Sequence, residues 1–197
     1  GKIQREDVMK NVLDYLSSSI SSLTNPTNVA NAIGSAMHEK IDSNLVSSYI
    51  DKLIDAFLIA EAKRYDVKGK SYFSFPNKYY YQDIGLRNAR LNYRQYDPGH
   101  IMENIIYNEL IMRGYKVDVG VVCDRRNGKN NIKEIDFIVN DLDRRIYIQS
   151  AYEMKDDDKV NSELDSLTLT GDFHKKIVIR NDIAHQYYDD KGFLHCN

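Results

Sequence analysis

Ile135, Phe137, Ile138 and Val139 form a strand-length apolar run with two carboxylates, Glu134 and Asp136, set into it. An acid between large apolar residues is costly to bury unless it is hydrogen-bonded, paired or metal-bound. Residues two apart on a strand point to the same side, so Glu134 and Asp136 are expected to share a face. The run therefore predicts a core strand of a sheet, with Asp136 as either a metal ligand or a structural hydrogen-bonding acid.

The flanking segments predict the topology. Asp97-Pro98 reads as a helix cap with proline at the first helical position, and the helix it starts runs to Gly114, which is suited to the C-terminal cap. Ile101, Met102, Ile105, Ile106, Leu110, Ile111 and Met112 make this helix apolar almost all round, the pattern of a helix buried against more than one neighbour. Strands are expected over residues 115–123, 134–140 and 145–151, joined by polar loops. A helix over residues 160–169 and a short strand over 176–180 follow; reached by a crossover, that strand is expected to be parallel to its neighbour. The order is α-β-β-β-α-β.

The first half is different in character. Val8, Val12, Leu13, Leu16 and Ile20 recur at helical spacing, a second helix of small residues follows Asn25-Pro26, and Asp42-Ser43-Asn44 caps a third helix carrying Leu45, Tyr49, Ile50, Leu53, Ile54 and Phe57. Segments 58–65 and 70–75 flank Asp66-Val67-Lys68-Gly69, a hairpin turn, so a two-stranded wing is expected after the third helix. This is the order of a winged helix. Its readout helix carries Asp42, Asp51 and Asp55 against Lys52 alone, a face that phosphates would repel. Lys63, Arg64, Lys68 and Lys70 of the wing offer contacts to a nucleic-acid backbone without reading sequence. The tyrosine run Lys78-Tyr79-Tyr80-Tyr81 could stack bases as aromatic platforms do, but it alternates like a strand and is expected to pack between the two halves of the chain. A domain boundary falls near residue 92, giving a winged-helix-like unit over 1–92 and an α/β unit over 93–197.

Composition narrows the function classes. The net charge is −2, and the 28% of residues that are charged mix both signs, which excludes a strong overall field for nucleic acid or membrane. Cys123 and Cys196 have no zinc or disulfide spacing, and no apolar run is long enough to span a membrane, so a cytoplasmic protein with no membrane partner is expected. His174, His185 and His195 show no ligand spacing and are expected at the surface or at strand ends. The start at Gly1-Lys2-Ile3 without Met is that expected of a piece of a longer protein.

Several motifs come together here. They are Lys78-Tyr79-Tyr80-Tyr81 with Asp83-Ile84-Gly85-Leu86-Arg87, then Glu103-Asn104-Ile105-Ile106-Tyr107-Asn108-Glu109-Leu110, Arg113-Gly114-Tyr115, Glu134-Ile135-Asp136-Phe137 and Tyr147-Ile148-Gln149. In this order the chain resembles the C-terminal region of prokaryotic AAA-type ATPases, in which a winged helix precedes a domain of the PD-(D/E)xK restriction-endonuclease-like fold. The resemblance implies that Glu103 is the helix acid and Asp136 the strand acid, the two residues that would hold Mg²⁺ if the site were retained. It also implies that Gln149 and Ala151 stand where active nucleases carry an acid and a lysine. A neutral amide is a poor magnesium ligand and alanine supplies no cation, so the site is degenerate and no nuclease activity is expected.

No GxxxxGK(S/T) loop is present, so any ATP would be bound by a module preceding this chain in cis. The expected function is that of a non-catalytic adaptor for a protein partner or nucleic acid. The densest basic cluster, Arg125, Arg126, Lys129 and Lys133, joins Lys63, Arg64 and Lys68 as the candidate nucleic-acid contacts. The alternatives are a weak metal-dependent nuclease drawing on Glu153 and Lys155, and a winged-helix DNA-binding regulator.

Overall fold

The computed structural model describes residues 5–124, 131–141, 144–154 and 164–197. It resolves into two units that alternate along the chain. One comprises Gly1–Ala62 and Phe75–Asn104, the other Lys63–Ser74 and Ile105–Asn197. Among the described residues no helix is long and apolar enough to cross a membrane.

In the first unit, α1 (Glu6–Ser18), α2 (Pro26–Met37) and α3 (Ser43–Asp55) lie where the apolar spacing predicts them. Asn25 caps α2 by accepting the Asn28 amide, and Asp42 caps α3 by accepting that of Asn44, so side-chain oxygens satisfy donors that a helix start leaves open. Val8, Val12, Leu16, Val29, Ile33, Val46, Tyr49 and Leu53 form the common core. Strand β1 (Ile59–Ala62) pairs antiparallel with β4 (Lys78–Tyr81), Ile59 opposite Tyr81 and Ala62 opposite Lys78. Tyr79 and Tyr81 join the first unit's own core. Both amide atoms of buried Asn104 bond the main chain of Tyr81 at 2.7 Å, standing in for a neighbouring strand. Asp83 caps α4 (Ile84–Arg90), whose Arg87 is fully buried and donates to the Ser17 and Gln95 carbonyls, each at 2.9 Å.

The second unit is built on an eight-stranded mixed sheet of order β3-β2-β5-β6-β7-β8-β10-β9. Its strands are β2 (Arg64–Asp66), β3 (Ser71–Tyr72), β5 (Lys116–Asp124), β6 (Asn131–Asp141), β7 (Arg144–Ala151), β8 (Lys175–Arg180), β9 (Tyr187–Tyr188) and β10 (Leu194–Cys196). The three central strands are antiparallel neighbours and β8 is parallel to β7, as the sequence predicts. Strands β9 and β10 extend the sheet beyond the expected order. A helix, α6, covers residues 164–169, inside the span expected to be helical. Its Leu164 and Leu167 pack with Val122, Ile135, Ile138, Tyr147, Ala151 and Val178. Helix α5 (Pro98–Met112) contributes residues to both units.

The expected wing is corrected by the structure. Tyr65 does face Tyr72 in a hairpin whose turn is held by the Asp66 carboxylate, which accepts the amides of Lys68 and Gly69. Strand β2, however, offers its other edge to β5 in parallel, Arg64 opposite Val119, so the hairpin belongs to the large sheet. The strand that leaves α3 pairs instead with β4. The compact units therefore do not follow a single division of the chain such as 1–92 and 93–197: residues 63–74 lie in the second and 93–104 in the first. Helix α5 is also less buried than its composition predicts. Ile105, Ile111 and Met112 are exposed, because apolar residues on every side of a helix exceed what its packed faces cover.

Candidate functional site

The centre of the second unit's sheet is irregular at Asp136. Asp118 faces Ile138 across β5 and β6, but Gly120 faces Ile135, so β6 carries one extra residue at Asp136–Phe137 opposite Val119. This is a β-bulge, which resets the two-residue alternation and bends the strand. Ile135 and Ile138, three apart, consequently share one apolar cluster. The bulge draws them onto Gly120, where a Cβ would stand 2.9 Å from the Ile135 Cβ and 3.0 Å from the Ile138 Cγ1. Only glycine fits under this pair without a shift.

The β6–β7 ladder runs from Asp141 and Arg144 to Phe137 and Ile148 and stops there. One step further, the Asp136 carboxylate takes the place of a main-chain acceptor, Oδ2 receiving the Ser150 amide at 2.9 Å. The Asp136 amide in turn lies 3.4 Å from the Gln149 Oε1. Asp136 and Gln149 are thus adjacent, as the resemblance implies, and both are buried. Gln149 faces Val178 of β8, and Tyr147, Ala151 and Val178 belong to the apolar cluster with Met154, Leu164 and Leu167. Ala151 is therefore a packing residue, and a lysine there would place its stem among aliphatic side chains. Glu134 is half-buried.

Glu103 belongs to the first unit, Asp136, Gln149 and Ala151 to the second. Within its own unit Glu103 is buried and committed, its Oε1 accepting Lys78 Nζ and the Tyr80 hydroxyl, each at 2.8 Å. Sequence reasoning missed these two partners. The signal was present, because Lys78 and Tyr80 are two apart on a strand and so present donors on one side. Among the described residues no group of three or more His, Cys, Asp or Glu side chains is gathered to hold a metal ion.

The basic candidates are dispersed. Arg125, Arg126, Lys129 and Lys155 lie outside the described residues. Lys133 is half-buried, 3.8 Å from the Asp165 carboxylate. Lys63 and Lys68 are exposed, whereas Arg64 is buried with its guanidinium 5.0 Å from the centre of the Phe73 ring, an apolar setting that takes it away from solvent. His195 departs from its expected place too. It is buried in β10, stacked on Tyr187 and 3.1 Å from the Asp189 carboxylate.

These features define a mixed α/β chain whose large sheet carries a bulged, acid-bearing strand at its centre. The chain belongs to the family described as a domain of unknown function, DUF4143, which matches residues 98–196. Residues 1–97 match a second domain of unknown function, DUF8612. An uncharacterized protein of Haemophilus influenzae is 34% identical over 184 residues, which cover 92% of this chain and 42% of that protein. The chain thus spans less than half the length of this relative. No solved structure matches it.

Proposed function

We propose that this chain is the non-catalytic C-terminal module of a prokaryotic AAA-type ATPase, a helical unit closed by the two-stranded β1–β4 ribbon with a PD-(D/E)xK nuclease-like unit, that adapts the motor to a protein partner or nucleic acid. One observation carries the absence of catalysis. The Asp136 carboxylate is engaged by the Ser150 amide, while the two positions that would supply an acid and a cation hold Gln149 and buried Ala151. Phosphodiester hydrolysis needs converging charged oxygens on a hard cation and a positive group at the scissile phosphate. The matched domain is often found C-terminal to AAA ATPases, and the Haemophilus relative has length to spare for such a module.

Two tests bear on the reading. Incubation of the chain with supercoiled plasmid and Mg²⁺ or Mn²⁺ is expected to leave the plasmid intact. Robust cleavage that disappears in Asp136→Ala would overturn it. A P-loop of the GxxxxGK(S/T) type is expected in the part of the Haemophilus relative that this chain does not cover, and its absence there would remove the ATPase connection.

A further inference from the structure

In the second unit a cavity of about 500 Å³ opens beside the β2–β3 hairpin, lined by Lys63, Tyr72, Phe73, Ser74 and Asp118. That is the size of a small-ligand site. Its walls combine three chemistries. The first is aromatic: Tyr72 is more than half exposed, and Phe73 presents a ring already stacked by Arg64. The second is an underused carboxylate. Asp118 Oδ2 accepts the Tyr72 hydroxyl at 2.9 Å and, at the limit, the Asn140 amide at 3.5 Å, while no described residue donates to Oδ1. Burial pushes the Asp118 carboxyl above the ordinary carboxylate range, against the opposing pull of the Tyr72 hydroxyl, Arg145 and Lys63. A ligand N–H at Oδ1 would relieve that burial cost.

The third chemistry is positive charge. Lys63 is exposed at the rim, Arg64 is buried with no hydrogen-bond partner for its Nε, and Arg145 lies over Tyr65, the cross-strand neighbour of Tyr72. Lys63 and Arg145 act on the one carboxylate and leave an excess of positive charge, so the ligand that fits must carry an anionic group as well as a flat ring and a donor.

We propose that this cavity binds an unpaired nucleotide whose base bears an exocyclic amino group, cytosine or adenine. The base stacks on Tyr72 and Phe73, its amino group donates to Asp118 Oδ1, and its phosphate meets Lys63. Aromatic platforms hold unpaired bases, and acidic side chains accept from the cytosine amino group. One available oxygen suits one amino group. Guanine would need two acceptors, and the N3–H of uracil or thymine is flanked by carbonyl oxygens that a carboxylate repels. The same chemistry occurs in a free nucleotide and in a single strand. The assignment goes beyond the module reading and rests on the cavity's own residues.

Calorimetric titration of the full chain with CMP, AMP and UMP, and with six-nucleotide dC, dA and dT strands, tests it. Amino-bearing bases are expected to bind at one equivalent, about tenfold or more tighter than UMP or dT. Strands that bind more tightly than mononucleotides identify a single strand as the source; equal affinity per site identifies the free nucleotide. Tyr72→Ala should weaken binding about tenfold or more. Asp118→Asn, which offers a donor where the carboxylate accepted, should turn the preference toward UMP and dT, a reversal that a loss of folding cannot mimic. No binding, affinity indifferent to the base, or binding unchanged in Tyr72→Ala would each overturn the proposal.

Discussion

Asp136 and Ser150 face each other across the point where β6 and β7 part, and the carboxylate of one closes the main-chain donor of the other at 2.9 Å. An acid in this position completes a sheet that the bulge has opened. Its conformation is fixed by a backbone group, as a strand partner's carbonyl would be. The consequences can be measured.

Replacing Asp136 with Ala removes the acceptor and leaves a donor in a sparsely hydrated place. The expected loss is about 1–3 kcal/mol, and Asp136→Asn, which keeps a carbonyl oxygen, should lose less. Urea midpoints at constant denaturant slope report both values. Equal stability of Asp136→Ala and the unaltered chain would remove the structural role.

Ala151→Lys, the change that would nominally rebuild an acid-x-lysine strand together with Gln149→Glu, should destabilise the second unit by several kcal/mol. It drives an ammonium into the apolar cluster of Met154, Leu164 and Leu167. A melting temperature unchanged in this variant would show that the cluster yields to a charge.

Lys78 and Glu103 form a buried ion pair at 2.8 Å in the first unit. Lys78→Met alone leaves the buried Glu103 carboxylate without its ammonium, and Glu103→Leu alone leaves the buried Lys78 ammonium without its carboxylate, so each should cost about 3–5 kcal/mol. The double variant should recover much of that loss, because a matched apolar pair leaves no buried charge. A double-mutant cycle reads the coupling, and strictly additive losses would contradict it.

Asp118 gives a pH prediction. Burial raises its folded carboxyl pKa, so the native state favours the protonated form and carries a penalty wherever the group is ionised. Asp118→Asn should therefore be more stable than the unaltered chain near neutral pH. The difference should shrink as the pH falls through the raised folded value toward the unfolded one, where both side chains are neutral. Denaturation midpoints at a series of pH values check the sign; a gain that grows on acidification would contradict it.

Much of the architecture was written in local chemistry. Asn25, Asp42 and Asp83 announce helix starts, and Asp97-Pro98 marks the start of α5, because caps act over a few residues. The strands β5 to β8 follow from apolar runs and the crossover between them. What escaped depends on partners far along the chain. Nothing near Asp66 or Gly69 reveals that β2 would lie beside Val119 rather than against its own helices. The bulge at Asp136 arises from one surplus residue relative to β5, a mismatch invisible in either strand alone. Lys78 and Tyr80 looked like part of an aromatic strand, and only their meeting with Glu103 gives them an electrostatic role. Asp136 and Gln149 were placed together by resemblance, whereas the packing of Ala151 needed the sheet's register.

The two family matches meet at residues 97 and 98, yet the chain commits β2 and β3 to the large sheet some thirty residues earlier. A chain that kept only the part after that junction would lack Arg64 and Tyr65 opposite Val119 and Gly120 and would bare the main-chain edge of β5. Bare edges invite pairing with other chains. Descendants that inherited only one of the two segments would need a substitute strand, so the segments are expected to travel through genomes together.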